Sequence, residues 1–363
     1  MSLNKQSKIT KKIIFLRSIK TKFGGAEVFL SRLTEALKQR NIDFEILNSS
    51  APKFLPSWIK VWWFNLQVKI KKLRNSNLFY FSLDRLTSAD IYRAGDGVHK
   101  AFLKTRSFSL NPLHLSYLIL EKSCFKNSKH IVANSSKTKQ EILEHYPNIS
   151  PSKISIISNG LLFSKIPFNS LDQPENTSKI KEKIAQEFKV NSNIPFILFI
   201  GSGFKRKGVS EFLNIISKIK TPFHAFIIGK EKKLFLYQDQ AAELNLSQKI
   251  TFTGQRSDTS DFYLASSLFI YPAQYEPFGN VILEAMAHGC VALTNKNTGA
   301  LEILPPEFDL DHPESINLIN LLLENPEKLK QAQELQITIA KQYPIEKTAD
   351  QTFALILKIM GES

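Results

Sequence analysis

Glu276 and Glu284 stand eight positions apart in Glu276-Pro-Phe-Gly-Asn-Val-Ile-Leu-Glu284-Ala-Met-Ala-His-Gly289. The strand-like run Leu268-Phe-Ile-Tyr-Pro272 precedes them, and Gly289 is a natural stop for a short helix. A loop therefore carries Glu276, while Phe278, Gly279 and Asn280 present a helix N-terminus. Free backbone N–H groups and the positive dipole end gather there, which suits an anion, phosphate above all. Glu276 falls beside that anion, and Glu284 lies two turns down the same helix. Amides for phosphate and carboxylates for hydroxyls suggest a diphosphate-linked sugar as the ligand.

A basic loop adds to this. Gly201-Ser-Gly-Phe-Lys205-Arg206-Lys207-Gly208 follows the strand-like Phe196-Ile-Leu-Phe-Ile200. As a dinucleotide fingerprint it lacks a third Gly, since position 206 is Arg; as a P-loop it lacks Lys at 209, which is Val. What remains is a tight turn that delivers Lys205, Arg206 and Lys207 to a strand end. Cations there neutralise a diphosphate leaving group; the plainer alternative is a solvated basic turn. Near the N-terminus, Gly24, Gly25 and Glu27 open a helix through Phe29, Leu30, Leu33 and Leu37. Amides at that end suit a donor phosphate or an acceptor, although Glu27 also reads as a first-turn acid on the helix dipole. Asp96 and His99 end the strand Asp90-Ile-Tyr-Arg-Ala94. Asp309-Leu-Asp311 imitates a metal-binding Asp pair but lies in a Pro-rich loop, so neither a metal nor a cofactor is expected.

Short apolar runs must position these groups. Ile13–Leu16, Phe44–Leu47, Phe79–Leu83, Asp90–Ala94 and His130–Ala133 read as strands of one half, and Pro195–Ile200, His224–Ile228, Ile250–Thr253, Leu268–Tyr271 and Val291–Thr294 of the other. Strands alternating with helical patterns argue for an α/β fold with parallel sheets covered on both faces. Ligands of such sheets bind at the carboxyl ends of the strands, and each group above falls at one. The polar stretch 169–178 supports a boundary near residue 165.

Four motifs in this order resemble the retaining nucleotide-sugar glycosyltransferases of the GT-B fold, the Glu-x7-Glu or group 1 type. Phe23-Gly24-Gly25-Ala26-Glu27 is similar to their N-terminal Gly-Gly loop, and Ser155-Ile-Ile-Ser-Asn159-Gly160 to their interdomain strand and turn. Gly201 to Gly208 resembles their basic loop, and Glu276 to Glu284 their signature. The pattern Gly-Ser-x-Phe-x-Arg-Lys-Gly and the run Ala89-Asp-Ile-Tyr-Arg-Ala-Gly-Asp96-Gly-Val-His99 resemble in particular the lipopolysaccharide-core glycosyltransferases. The likeness runs from about residue 13 to 304.

This resemblance implies two Rossmann-like domains whose parallel sheets face each other across a cleft. Residues 1–165 would form the acceptor side and 166–344 the nucleotide-sugar side, with the helix in 345–363 returning to the first. It implies Glu276 by the donor sugar, Glu284 on the ribose, Arg206 and Lys207 on the diphosphate, Gly254 near the base, and either Asp96 or His99 approaching the sugar. Many relatives carry Arg after the first Gly of the basic loop, where this chain has Ser202. The implied partners are a UDP-, ADP- or GDP-linked sugar and a glycolipid acceptor, with a hexose moved in a retaining, metal-independent reaction. A sugar-nucleotide 2-epimerase of the same fold, or a non-enzymatic basic membrane-binding protein, are the competing readings.

Bulk properties agree. The 363 residues suffice for two domains, and 43% hydrophobic with 22% charged content is ordinary for a globular chain. No run approaches the roughly 20 apolar residues of a membrane span, and the polar N-terminus has no apolar signal core, so a cytoplasmic location is expected. Cys124 and Cys290 fall in different halves and read as buried thiols. A net charge of +15 calls for an anionic partner. No nucleic-acid motif accompanies it, so the anionic inner-membrane surface or a phosphorylated glycolipid is expected instead. All three tryptophans, Trp58, Trp62 and Trp63, lie in the basic stretch 55–74, where Leu55, Ile59, Trp62, Trp63, Leu66, Ile70 and Leu73 form one helical stripe. That stripe either lies in a membrane interface or packs on the N-terminal sheet.

Overall fold

The computed structural model describes residues 11–18, 25–39, 41–75, 77–106, 109–166 and 174–361. Gly24 and Phe23 of the Gly-Gly loop, and residues 169–173 of the polar stretch, lie outside the described residues. The chain forms two compact units: one up to Gly160 that also takes in the segment from Ile345, and one spanning Leu161–Pro344.

The first unit is built on a six-stranded parallel sheet in the order β2-β1-β3-β4-β5-β6. Its strands are β1 (Lys12–Leu16), β2 (Phe44–Leu47), β3 (Leu78–Ser82), β4 (Ile91–Ala94), β5 (His130–Ala133) and β6 (Ile154–Ile156). Ile13, Ile14, Phe15 and Leu16 are all fully buried, which is why β1 reads as a continuous apolar run without alternation. Helices α1 (Gly25–Gln39), α2 (Ser57–Arg74), α3 (His99–Lys104), α4 (Pro112–Asn127) and α5 (Ser136–His145) accompany it. Asn111 starts α4 by accepting from the Leu113 N–H, with Pro112 in the first turn, and Ser135 starts α5 by accepting from Thr138. The last helix, Ile345–Met360, shares a core with α1: Ala349, Leu355 and Ile356 pack with Phe29, Leu33 and Leu37. Its Thr348 Oγ1 donates to the Ser158 carbonyl at 3.0 Å, and Arg32 holds the Gly160 carbonyl at 3.0 Å. Fully buried Arg93 donates to Asn159 Oδ1 at 2.6 Å and stacks 3.8 Å from the Phe29 ring centroid. The end of the unit is thus fastened from α1, β4 and the last helix.

Helix α2 does not pack on the sheet through its tryptophan stripe. It packs on the sheet through Phe64, Asn65 and Val68, its buried residues. The stripe faces away: Trp62, Trp63, Leu66 and Leu73 are 40, 44, 57 and 79% exposed. Trp62 donates its indole N–H to Ser116 of α4, whose Leu115 and Ile119 are exposed as well. No helix among the described residues is long and apolar enough to cross a membrane.

The second unit carries a five-stranded parallel sheet in the order β11-β10-β7-β8-β9. The strands are β7 (Phe196–Ile200), β8 (His224–Ile228), β9 (Ile250–Gly254), β10 (Leu268–Tyr271) and β11 (Val291–Thr294). Around it lie α6 (Pro174–Phe188), α7 (Phe204–Lys207), α8 (Val209–Ile216), α9 (Leu234–Glu243), α10 (Thr259–Ala265), α11 (Asn280–Ala287), α12 (Ser315–Glu324) and α13 (Pro326–Ala340). The first strand, β7, is central, and the chain winds outward to both sides of it. The order therefore reverses between β7 and β10, and that is where a crevice opens at the carboxyl ends of a doubly wound sheet.

Candidate active site

Two loops leave the carboxyl ends of β7 and β10 on either side of this reversal. The basic stretch is not the tight turn expected from sequence but a one-turn helix, α7, flanked by Gly203 and Gly208 in the left-handed region. Glu231 accepts from the Phe204 N–H at 2.9 Å and so fixes the helix start. Gly208 seats the loop against the next strand. With φ +81°, a Cβ there would lie 1.8 Å from the Pro272 carbonyl oxygen, so no side chain fits. The Gln274 N–H donates to the Arg206 carbonyl at 3.0 Å across the same seam.

This contact brings Lys207 and Arg206 onto Glu276. Lys207 Nζ forms an ion pair with Glu276 Oε2, Arg206 Nη1 stands 3.7 Å from the same oxygen, and the Tyr271 hydroxyl donates to it at 3.0 Å. The main chain of Glu276 is pinned too: its N–H donates to the Asn297 carbonyl and its carbonyl accepts from Gly299, at 3.0 and 2.9 Å. Burial pushes the Glu276 carboxyl up, but Lys207 and Arg206 outweigh it and hold the group below the usual carboxylate range. Burial pulls the Lys207 ammonium down against the raising effect of Glu276. Arg206 and Lys205 stay more open to solvent than Lys207.

Helix α11 begins next to this cluster. Gly279 at φ +101° is the residue before it, packed so that a Cβ would meet Thr298 Cγ2 at 3.0 Å. The Phe278 side chain is buried, so its contribution to an anion site is confined to the backbone. Glu284 lies half-buried on the same helix. Asp309 and Asp311 stay in their surface loop, where Asp309 Oδ1 accepts the Asp311 N–H at 2.9 Å and Lys296 lies 3.9 Å from Asp311.

In the first unit the strand order likewise reverses beside β1, between β2 and β3. Arg17, just past β1, gathers the acids there. It donates to Glu27 of α1 at 2.8 and 3.1 Å and to Asp84, just past β3, at 3.0 Å, and it lies 3.8 Å from Asp96. Glu27 is thus committed to Arg17, and the backbone of Gly25 begins α1 beside it. Asp96 and His99 part company. The Asp96 side chain remains about half exposed at the strand end, while the His99 ring is buried beside Phe102 and Tyr117, with Nε2 3.1 Å from His114 Nδ1. Burial, aided by Arg85, pulls the His99 imidazole down to about 4 and keeps it neutral.

Known proteins resemble this chain in sequence and in fold. Residues 180–336 match the model "Glycosyl transferases group 1", and residues 77–161 match "Glycosyltransferase Family 4". The chain is similar to the glycosyl transferases group 1 family, whose model covers residues 180–336. Its fold is GT-B. The crystal structure of WaaG, described as a glycosyltransferase involved in lipopolysaccharide biosynthesis, superposes with a TM-score of 0.76 over 95% of this chain and 99% of that one, at 18% identity. In sequence, the lipopolysaccharide glucosyltransferase WaaG of Escherichia coli (strain K12) is 23% identical over 60% of this chain. That match spans 58% of WaaG's own length, less than two thirds. The lipopolysaccharide core biosynthesis glycosyltransferase LpsE of Rhizobium meliloti is 22% identical over 77% of both chains. Anabaena Alr3699/HepE in complex with UDP-glucose superposes with a TM-score of 0.71 over 97% of this chain and 100% of that one, at 17% identity.

Two further positions of the second unit have defined surroundings. Ser202, standing where many relatives carry Arg, accepts from the Lys230 N–H at 3.0 Å, so it fastens the loop. Gly254 ends β9 at φ +74° with open space where a Cβ would be, and its carbonyl accepts from Gly229. Neighbouring Arg256 is engaged elsewhere, on Glu187 and Asp258 at 2.6 Å each and against Phe188 and Phe262. Tyr271 and Arg17 escaped the sequence reading. Tyr271 sits in a run that reads as plain core strand, and only its phenolic oxygen marks it as a polar group beside the site.

Proposed function

We propose that the protein is a retaining, metal-independent glycosyltransferase. It moves a hexose from a UDP-, ADP- or GDP-linked sugar to a lipopolysaccharide-core or related glycolipid acceptor on the inner face of the cytoplasmic membrane. The observation that carries this reading is the convergence of Lys207 and Arg206 on Glu276, beside the start of α11 and at the point where the strand order reverses. Cations and helix amides meet the diphosphate, and a carboxylate beside them meets the sugar. The acceptor hydroxyl attacks the anomeric carbon on the face from which the diphosphate departs. One C–O bond forms as the other breaks, and a leaving-group oxygen takes the acceptor's proton. Arg206, Lys207, Lys205 and the amides of Gly279 and Asn280 stabilise the charge that develops on the diphosphate. Glu276 holds the donor sugar, Glu284 the ribose, and Gly254 borders the base. Within the first unit, exposed Asp96 is open to a ligand where buried His99 is not, and Gly24, Gly25 and Glu27 are assigned to the acceptor side. HepE, which shares the fold, is described in complex with UDP-glucose.

The exposed stripe on α2, with Leu115 and Ile119 of α4, supports the membrane partner. Apolar side chains stand out beside exposed Lys53, Lys69 and Arg74, and contiguous apolar surface of this kind marks an interaction site. Incubation with UDP-, ADP- and GDP-hexoses and a deacylated lipopolysaccharide-core acceptor tests the whole reading. Transfer that needs the acceptor and yields an α-linked product from an α-linked donor is expected. Conversion of the donor alone would establish the epimerase instead.

A further inference from the structure

Glu276 has two carboxylate oxygens, and the protein treats them differently. Lys207, Arg206 and Tyr271 all approach Oε2. Oε1 accepts no hydrogen bond among the described residues, while the side chain keeps 14% exposure. One oxygen is anchored and the other is presented.

The three anchors are not equivalent. Lys207 and Arg206 are flexible, charged, and the side chains proposed to meet the diphosphate. A phosphate that draws them weakens their hold on Glu276. Tyr271 has no such competing role and no freedom to move. It is fully buried at the end of β10, its ring against Phe199 at 5.6 Å and Phe269 at 5.7 Å, and its carbonyl accepts from Thr294 Oγ1 at 2.6 Å. Burial, and then the charge of Glu276, raise its phenol well above the ordinary value, so the hydroxyl is a standing proton donor.

We infer that Tyr271 is a positioning residue for the proposed transfer: its hydroxyl holds Glu276 Oε2 when the cations turn to the diphosphate, so that Oε1 stays aimed at a hydroxyl of the donor sugar. This inference rests on the sugar-nucleotide reading above. It distinguishes the sugar from the nucleotide, since Glu276 touches only the former.

Tyr271→Phe deletes the hydroxyl and leaves the ring stack. Binding of UDP, ADP, GDP and the corresponding glucose-linked nucleotides is measured by calorimetry, with turnover, for wild type, Tyr271→Phe, Glu276→Gln and the double variant. For the base that wild type prefers, Tyr271→Phe leaves nucleoside diphosphate affinity within twofold. The extra affinity contributed by the sugar, and kcat, each fall about tenfold, the order expected for one hydrogen bond to a charged group. In the Glu276→Gln background Tyr271→Phe adds nothing, because it acts only through that carboxylate. An equal loss of UDP and UDP-glucose affinity, or a full additional cost on top of Glu276→Gln, overturns the inference and leaves Tyr271 a core residue. Wild-type protein that binds none of these nucleotides overturns the underlying reading together with it.

Discussion

Lys207→Ala separates what the basic loop does for stability from what it does for chemistry. Lys207 and Glu276 are each only 14% exposed, so their attraction is poorly screened. Removing one partner of a buried pair costs about 3–5 kcal/mol. Glu276 keeps Tyr271 at 3.0 Å and Arg206 at 3.7 Å after the substitution, so the loss falls toward the lower end, about 3 kcal/mol. In a unit of this size each kcal/mol shifts Tm by about 2–4 °C, which places the expected drop at roughly 6–12 °C. Removing one electrostatic stabiliser of the leaving group should also lower kcat by about a hundredfold or more. The joint variant Lys207→Met with Glu276→Gln distinguishes the two effects. Replacing both partners removes the stranded charge, so Tm recovers toward wild type, while turnover stays low. Calorimetric melting and donor-dependent product formation measure the two quantities, with Lys218→Ala, at an exposed position, as the control. A Lys207→Ala protein that melts and turns over like Lys218→Ala would refute the argument.

Glu284→Ala should weaken nucleotide binding more than it slows turnover, which titration of the donor in steady-state assays reveals; the reverse pattern counts against its ribose role. A chelator should leave activity intact, and Asp309→Asn with Asp311→Asn should be silent, whereas loss restored by magnesium or manganese would show a metal at work. The protein should pellet with anionic vesicles more than with neutral ones, less so as salt rises. Lys53, Lys69 and Arg74 changed to Gln, or Trp63→Ser, should reduce that binding without lowering Tm, because each basic residue near an anionic surface contributes only about 1 kcal/mol. Burial lowers both His99 and His224 to about 4 from 6.5. The unfolded chain therefore takes up protons first, and stability is full above pH 6.5 and falls as the pH drops toward 4. A urea midpoint that does not move between pH 7 and pH 5 would contradict this.

Most of the fold was legible because its strands are apolar on both faces. Ile13–Leu16 or Phe196–Ile200 can hardly be anything but a parallel strand bounded by turns. The start of α11 was legible for a local reason as well, since Gly279 and Gly289 bracket one short apolar run. Helix α2 shows where local pattern fails. Its periodic stripe is real, but the sheet takes the opposite face through Phe64 and Val68, and only the tertiary structure reveals which of two apolar faces is the interior one.

The site itself depends on a non-local fact. Lys207 and Glu276 are 69 positions apart and meet because β7 and β10 are neighbours in the sheet. Nothing in either loop encodes that adjacency. Gly208 comes nearest: a residue with no room for a Cβ against Pro272 records, at one end of the contact, that the two strand ends touch. A glycine after three cations was visible in the sequence, but it read only as the end of a tight turn. Its physical meaning is close contact with a second strand end. It lets the basic loop approach the backbone beyond β10 closely enough for Lys207 to reach an acid from another loop. The same adjacency makes Tyr271 a polar neighbour of Glu276 while it remains a core residue of its strand. The chemistry of the site follows from which strands lie side by side, and a residue with an apolar body and a polar tip can serve both the core and the site.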